Sequence, residues 1–450
     1  MGRKRVSIWT FADRLQGDKV VWIIVLMLFL CSIVCMFSST SRLLKDDMSR
    51  VDLLSEQLIT VLLGLALVVI IYNIRNIKAF RIASSLGLLV SFVFLFLLDI
   101  RINTPFIRAI ETNNAYRILS VNGFQIHVFE IVKVAMVMYL AWAVDAIRNG
   151  CRLMPGNNLS QKWKKIIYLY VPFIVILVMI IPGSNSSALF IGGIMYIVIL
   201  LGGGNVKDLL LLALCGIATI GICLGIYHIS DGKVLGRIGT GISRVFESTD
   251  WEKQFDESKK GSLAYVEALD KLRQPYGARI AIKEGGLLGK GPGESTQKYK
   301  VPDYSEDYMF SFIIEEFGLW GALTIIILYL SLLARGSIIV RNCGNDIFAK
   351  VAVAGLCLLI SGQAFLHIFV NVDIGPMTGQ TLPLISHGTS AFICFCVAFG
   401  IILSLSRIAG RRIDRETRDA EPLMEIKDNM RASLDDLDAY ESGEMPEEEI

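Results

Sequence analysis

Apolar residues along this chain fall into long unbroken blocks, not into the alternating or three-to-four spacing of water-soluble elements. Blocks near spanning length lie at about 20–37, 57–72, 83–98, 124–146, 166–181, 187–201 and 209–227. Three more follow at about 319–333, 351–372 and 382–406. A membrane-crossing helix needs ~20 residues, so the shorter blocks extend by a few residues at each end. The pattern predicts an all-α polytopic membrane protein of about ten transmembrane helices, with a large extracytoplasmic loop between the seventh and eighth.

The polar intervals give this bundle a direction. Arg3, Lys4 and Arg5, then Arg75, Lys78 and Arg81, then Arg148, Arg152, Lys162, Lys164 and Lys165 all fall in intervals on one side. Arg335, Arg341, Arg407, Arg411 and Arg412 join them, and basic short loops face the cytoplasm. Both termini are therefore expected inside. Residues 1–19 form a cytoplasmic N-terminus, 20–228 the first seven spans, 229–307 the outer loop and 308–406 the last three spans. Residues 407–450 are acid-rich with few aromatics, and read as a disordered cytoplasmic tail. Block 20–37 is too long for a signal-peptide core and reads as a retained first span.

Composition adds little beyond this. The 450 residues are 53% hydrophobic with mean hydropathy +0.55, and the net charge of +2 implies no nucleic-acid partner. Nine cysteines, mostly inside apolar blocks, show no CxxC spacing and no partnering histidines. They read as small buried hydrophobes, and no metal site is expected among them.

Four groups could carry chemistry. Asp307 sits at the outer mouth of the eighth span, where charge next to hydrocarbon marks a site; a helix-capping acid would look the same. Arg237, Arg244, Arg279, Lys298 and Lys300 of the outer loop could meet a diphosphate, with Gly289, Gly291 and Gly293 letting backbone approach it. Those glycines equally suit ordinary turns. Glu130 and Lys133 stand three apart on the fourth span and can pair, as a packing bridge or as substrate contacts. Residues 371–390, with two prolines and several glycines, cannot continue a helix and read as an outer cavity wall that includes Ser386.

These segments resemble the SEDS family (shape, elongation, division and sporulation). The family's Gly-rich run, Gln-Lys, and Leu-Pro-Glu-Ala-His-Thr-Asp-Phe are echoed by 289–293, Gln297-Lys298 and Val301-Pro302-Asp303-Tyr304-Ser305-Glu306-Asp307-Tyr308. Its Gly-Glu-Glu-Leu-Gly appears as Ile314-Glu315-Glu316-Phe317-Gly318. A second signature matches Asn371-Val372 and Thr378 through Ser386, and its Thr-Leu-Pro-Leu-Ile-Ser form is closer to the cell-division branch, FtsW, than to RodA. Departures stand at 127–129, at Ile181, at 303–306 and at His387-Gly388-Thr389, where the pattern has Tyr-Gly-Gly.

The resemblance implies a peptidoglycan glycosyltransferase that polymerises lipid II during cell division in the bacterial cytoplasmic membrane. It implies Asp307 as the catalytic carboxylate and Glu130 and Lys133 as cavity residues. Arg244, Lys298 and Ser386 are the further substrate contacts expected, with a divalent cation such as Mg²⁺ as the one cofactor considered. A class B penicillin-binding protein and other divisome proteins are the implied partners. A lipid II flippase or a non-enzymatic septal scaffold would use similar spans.

Overall fold

The computed structural model describes residues 16–43, 50–112, 115–150, 159–204, 262–302, 304–375 and 378–442, with scattered positions between 207 and 260. It is dominated by helices. α1 (Lys19–Leu43), α2 (Arg50–Tyr72), α3 (Ile77–Ser85) and α4 (Gly87–Asp99) come first, α3 and α4 together making one apolar span of 23 residues. Next come α5 (Val128–Asn149), α6 (Gln161–Ile180) and α7 (Asn185–Leu201). α8 (Leu263–Gly285), α9 (Met309–Asn342), α10 (Ile347–Asn371) and α11 (Thr389–Ser442) complete the order.

Seven helical segments among the described residues are long and apolar enough to cross a membrane. α5 adds a 22-residue helix that carries Glu130, Lys133, Asp145 and Arg148, and α7 is a shorter apolar helix. The block at 209–227 lies largely outside the described residues. α5 and α10 are buried along most of their length and pack on each other at the centre. The outer helices bury one face and expose Ile23, Leu26 and Leu30, or Leu62, Leu63 and Ile70, on the other. Such continuous exposed hydrocarbon belongs against lipid.

Residues 16–18 meet the exit of the last span. Asp18 N donates to Ser406 Oγ (2.8 Å), and Arg411 Nε donates to Gln16 Oε1 (2.8 Å). Arg335, near the end of α9, grips the Asp18 carboxylate through Nε and Nη2 (2.9 and 2.6 Å). The chain's start and the basic exit of α11 thus share one end of the bundle, as the loop charges predict. A cavity of about 440 Å³ opens at this end beside Asp18, Lys19, Arg335 and Asp414.

The structure departs from the expected pattern in four ways. First, a three-stranded antiparallel sheet stands between α4 and α5: β1 (Ile107–Thr112), β2 (Ala115–Val121) and β3 (Phe124–His127). The apolar block beginning at 124 therefore starts as a strand, and the fourth span starts at Val128. Second, the outer loop is not all irregular: it holds a 23-residue helix, α8. Third, the last span starts at Thr389, since Pro383 and Gly388 keep 381–388 irregular. Fourth, α11 runs on to Ser442, so most of the tail expected to be disordered is helical.

Candidate active site

Asp307 lies in the turn that leads into α9, half-buried, one residue before the N-cap position Tyr308. A helix start leaves N–H groups without partners, and within a membrane protein these need side chains. α10 supplies them. Phe310 N donates to His367 Nε2 (3.3 Å) and Ser311 N to Asn371 Oδ1 (2.9 Å). Asn371 Nδ2 in turn donates to the carbonyl of Asp307 itself (3.0 Å). Because Phe310 N–H can only donate, His367 Nε2 is the acceptor, so Nδ1 carries the proton and donates to Gln380 O (2.7 Å).

Residues 378–381 form the wall facing Asp307. Gly379 has φ +59°, and a Cβ there would stand 3.6 Å from Asp307 Oδ2. The wall is pinned from behind. Ser186 Oγ donates to Thr378 O (2.8 Å), Gln380 Nε2 to Ser187 Oγ (3.1 Å), and Gln363 Nε2 to Thr381 O (3.0 Å). Lys133 Nζ binds Glu130 Oε1, Gln363 Oε1 and Gln380 Oε1 at 2.6, 2.7 and 2.8 Å. The sheet contributes by placing β3 directly before α5, which puts Glu130 in that helix's first turn. A carboxylate is favoured there by the helix dipole.

The structure thus brings Asp307, Glu130 and Lys133 to one end, on two sides of a shared wall. It also changes what Lys133 can do. An ammonium has three donors; all three are used, and the side chain is 1% exposed. Lys133 is a charge buried to hold the wall, with no donor left for a diphosphate. Glu130 keeps partial exposure. Ser386 likewise turns inward, its Oγ donating to Glu306 O (2.8 Å) and accepting from Leu382 N (2.9 Å).

Lys298 is a second correction. Its Nζ is buried, donates to Gly293 O (2.6 Å) and Ser38 O (3.3 Å), and stands 4.0 Å from Glu316 Oε1. It belongs to a latch built on two fully buried acids. Glu315 receives Lys290 Nζ (2.8 Å), Thr296 N (2.8 Å) and Ser295 Oγ (2.5 Å). Glu316 accepts from Ser38 Oγ at the end of the first span.

The glycine-rich run feeds the same latch. α9 is broken at Gly318 (φ 68°, ψ −168°), where a Cβ would lie 2.3 Å from Leu287 O. Lys290 N and Gly291 N donate to Glu315 O (2.9 Å) and Glu316 O (3.0 Å) across that break. Gly285 and Gly289 of this run therefore lie close against protein backbone, a Cβ there meeting Ile314 O at 2.0 Å and Glu316 O at 2.2 Å.

Arg237 and Arg244 lie outside the described residues. Of the basic candidates that remain, Arg279 is tied to the segment after α10: its Nε donates to Asp373 Oδ2 (2.6 Å), two residues beyond Asn371, and its side chain is partly exposed. The floor under the turn is nearly solid, the cavity beside Ala281, Val301, Tyr304 and Tyr308 holding about 10 Å³. Among the described residues no group of three or more His, Cys, Asp or Glu side chains could hold a metal ion.

Sequence reasoning missed His367, Gln363 and Gln380. Gln363, His367 and Asn371 recur every fourth residue on an otherwise apolar helix, a polar stripe on one face of α10 that was visible in the spacing.

The comparisons agree with this architecture. A family model of FtsW, RodA and SpoVE cell cycle proteins matches residues 18–410. A protein of Caulobacter vibrioides named a probable peptidoglycan glycosyltransferase FtsW is 29% identical over 320 residues, 70% of this chain and 71% of that one. The Bacillus subtilis protein of the same name is 28% identical over 319 residues, 69% and 71% of the two chains. A chain from a peptidoglycan synthase complex that coordinates polymerization and crosslinking superposes with TM-score 0.60 at 18% identity, covering 87% of this chain and 98% of that one. The crystal structure of the rod shape determining protein RodA of Thermus thermophilus gives 0.54 at 18% identity, covering 88% and 98%.

Proposed function

The chain belongs to the FtsW, RodA and SpoVE family of cell cycle proteins, and from that premise we propose that it polymerises lipid II into glycan strands during cell division. Asp307 is the general base. It accepts the proton of the acceptor's GlcNAc 4-hydroxyl as that oxygen attacks the anomeric carbon of the donor MurNAc. The new glycosidic bond forms while the bond to undecaprenyl diphosphate breaks, and single displacement inverts the anomeric centre. One carboxylate suffices, unlike the two-carboxylate retaining route.

The observation that carries this reading is the placement of Asp307: half-exposed, with its backbone held by Asn371 and its carboxylate beside a side-chain-free wall at Gly379. Negative charge growing on the departing diphosphate calls for cations, and Arg279 is the described residue best placed, with Arg244 a further candidate on the loop. Glu130, at the same end, is positioned to contact the substrate. A divalent cation such as Mg²⁺ would be carried by the diphosphate's own oxygens.

In this reading the basic face of the bundle is cytoplasmic, Asp307 works on the outer side, and the protein acts at the septum. A class B penicillin-binding protein and other divisome proteins are the partners this reading calls for. The test is gel separation of glycan from labelled lipid II, using the purified full chain with and without that transpeptidase. Polymer from wild type and none from Asp307→Ala, with equal thermal stability, supports the enzyme. Equal polymer from both would leave a flippase or a scaffold.

A further inference from the structure

Two positions where the chain departs from the family pattern lie 81 residues apart and meet in the fold, His387 Nδ1 standing 3.6 Å from Glu306 Oε1. The same two segments are joined by backbone. His387 N donates to Ser305 O (2.9 Å), and Ser386 Oγ donates to Glu306 O (2.8 Å). Three attachments from residues 386–387 therefore fall on the two residues directly before Asp307. Asn371 holds the carbonyl of Asp307 from the other side (3.0 Å).

We infer that Glu306 and His387 form a clasp that positions Asp307 for proton abstraction, an inference that rests on the reading of Asp307 as general base. At 3.6 Å the side-chain contact is of ion-pair range, longer than a hydrogen bond. Its use follows from what Glu306 would do without it. A loose carboxylate next in sequence to the base would set like charge beside it and perturb its proton affinity. It would also compete for the acceptor hydroxyl.

Contact with His387 draws the Glu306 side chain toward the last-span loop and stiffens the turn, leaving Asp307 to face the Gly379 wall. The side chains are 34% and 47% exposed for His387 and Glu306, so the clasp lies at the mouth of the site, not in the core. In the family pattern the same two positions carry Tyr and Thr, a neutral pair.

The test is a double-mutant cycle on lipid II polymerisation by the full chain, reading kcat, KM and thermal midpoint. His387→Ala, which frees the Glu306 carboxylate, is expected to lower kcat about tenfold or more with KM within about twofold, as a misplaced base does. Glu306→Ala is expected to lower it less, because the competing carboxylate goes with the contact. The double Glu306→Ala/His387→Ala is expected to be no slower than the slower single, because one contact is lost once. The paired exchange Glu306→Thr/His387→Tyr is expected to recover kcat to within about threefold of wild type, on the same coupling.

Additive losses in the double variant, losses confined to KM, or unchanged kcat in both singles would overturn the clasp. Asp307→Ala is run alongside. If it still polymerises, the general-base reading itself has failed; if it is dead while the clasp variants match wild type, only the clasp has.

Discussion

Replacing Lys133 with Met tests the wall behind the base. Met keeps the length and volume of the lysine stem and deletes the ammonium, which now bonds Glu130, Gln363 and Gln380 at 2.6, 2.7 and 2.8 Å. Breaking a buried ion pair by removing one member costs ~3–5 kcal/mol. Each amide oxygen left without a donor adds ~1–3 kcal/mol, although such terms overlap and do not sum. Glu130 retains some exposure and can take up water, which favours the lower end. The expected loss is about 3 kcal/mol, read from denaturant unfolding in detergent micelles.

A second readout locates the effect. Gln380 would lose its anchor, so amide hydrogen exchange at 378–381 should accelerate while exchange in the centre of α10 stays slow. Polymerisation should fall by about tenfold to a hundredfold as the Gly379 wall shifts by a fraction of an ångström to an ångström. The pair Lys133→Met/Glu130→Gln should recover part of the stability, because no uncompensated charge remains buried. Wild-type stability and unchanged exchange at 378–381 in Lys133→Met would refute the reasoning.

Other outcomes follow from the same geometry. Gly379→Ala should cost about 1–2 kcal/mol from its left-handed backbone and lower kcat more than it disturbs melting, since the new methyl would face the Asp307 carboxylate at 3.6 Å. Gly318→Ala should destabilise the fold by at least ~3 kcal/mol, seen as a lowered melting temperature, because a Cβ there meets Leu287 O at 2.3 Å. In the loop latch, the hydrogen bond from Lys290 holds the Glu284 carboxyl below its ordinary value of 4.5. A carboxyl lowered on folding stabilises above its ordinary value and loses that contribution as pH falls through the lowered one. Protection of the amides at 289–297, taken as exchange relative to the unstructured rate at each pH, should therefore fall on acidification below about pH 4.5, and Glu284→Gln should reduce that pH dependence.

The spans were legible because hydrocarbon thickness sets one length scale that apolar runs must meet. The small sheet was not, since Phe124 and Ile126 are apolar and merge with the block that follows. Asp307 and the irregular segment at 371–390 stood out because both violate what a lipid-facing helix tolerates. What Lys133 and Lys298 do was hidden, because their partners are distant in sequence: Gln363 and Gln380 for one, Ser38 for the other. The packing of Gly289 was hidden for the same reason, its neighbour being the broken backbone at Gly318. The tail shows a different limit: composition separates apolar from polar, while helix formation in a polar segment depends on spacing of charges.

The central claim is that a single carboxylate at 307 removes the acceptor's proton. Asp307→Asn keeps the side chain's shape and its backbone bond to Asn371 while abolishing the base. Single-turnover conversion of labelled lipid II is the measurement, with binding of the same lipid titrated in parallel. A fall in rate of at least about a hundredfold is predicted, with lipid affinity within a few-fold of wild type. Turnover by the Asn variant at the wild-type rate would contradict the account.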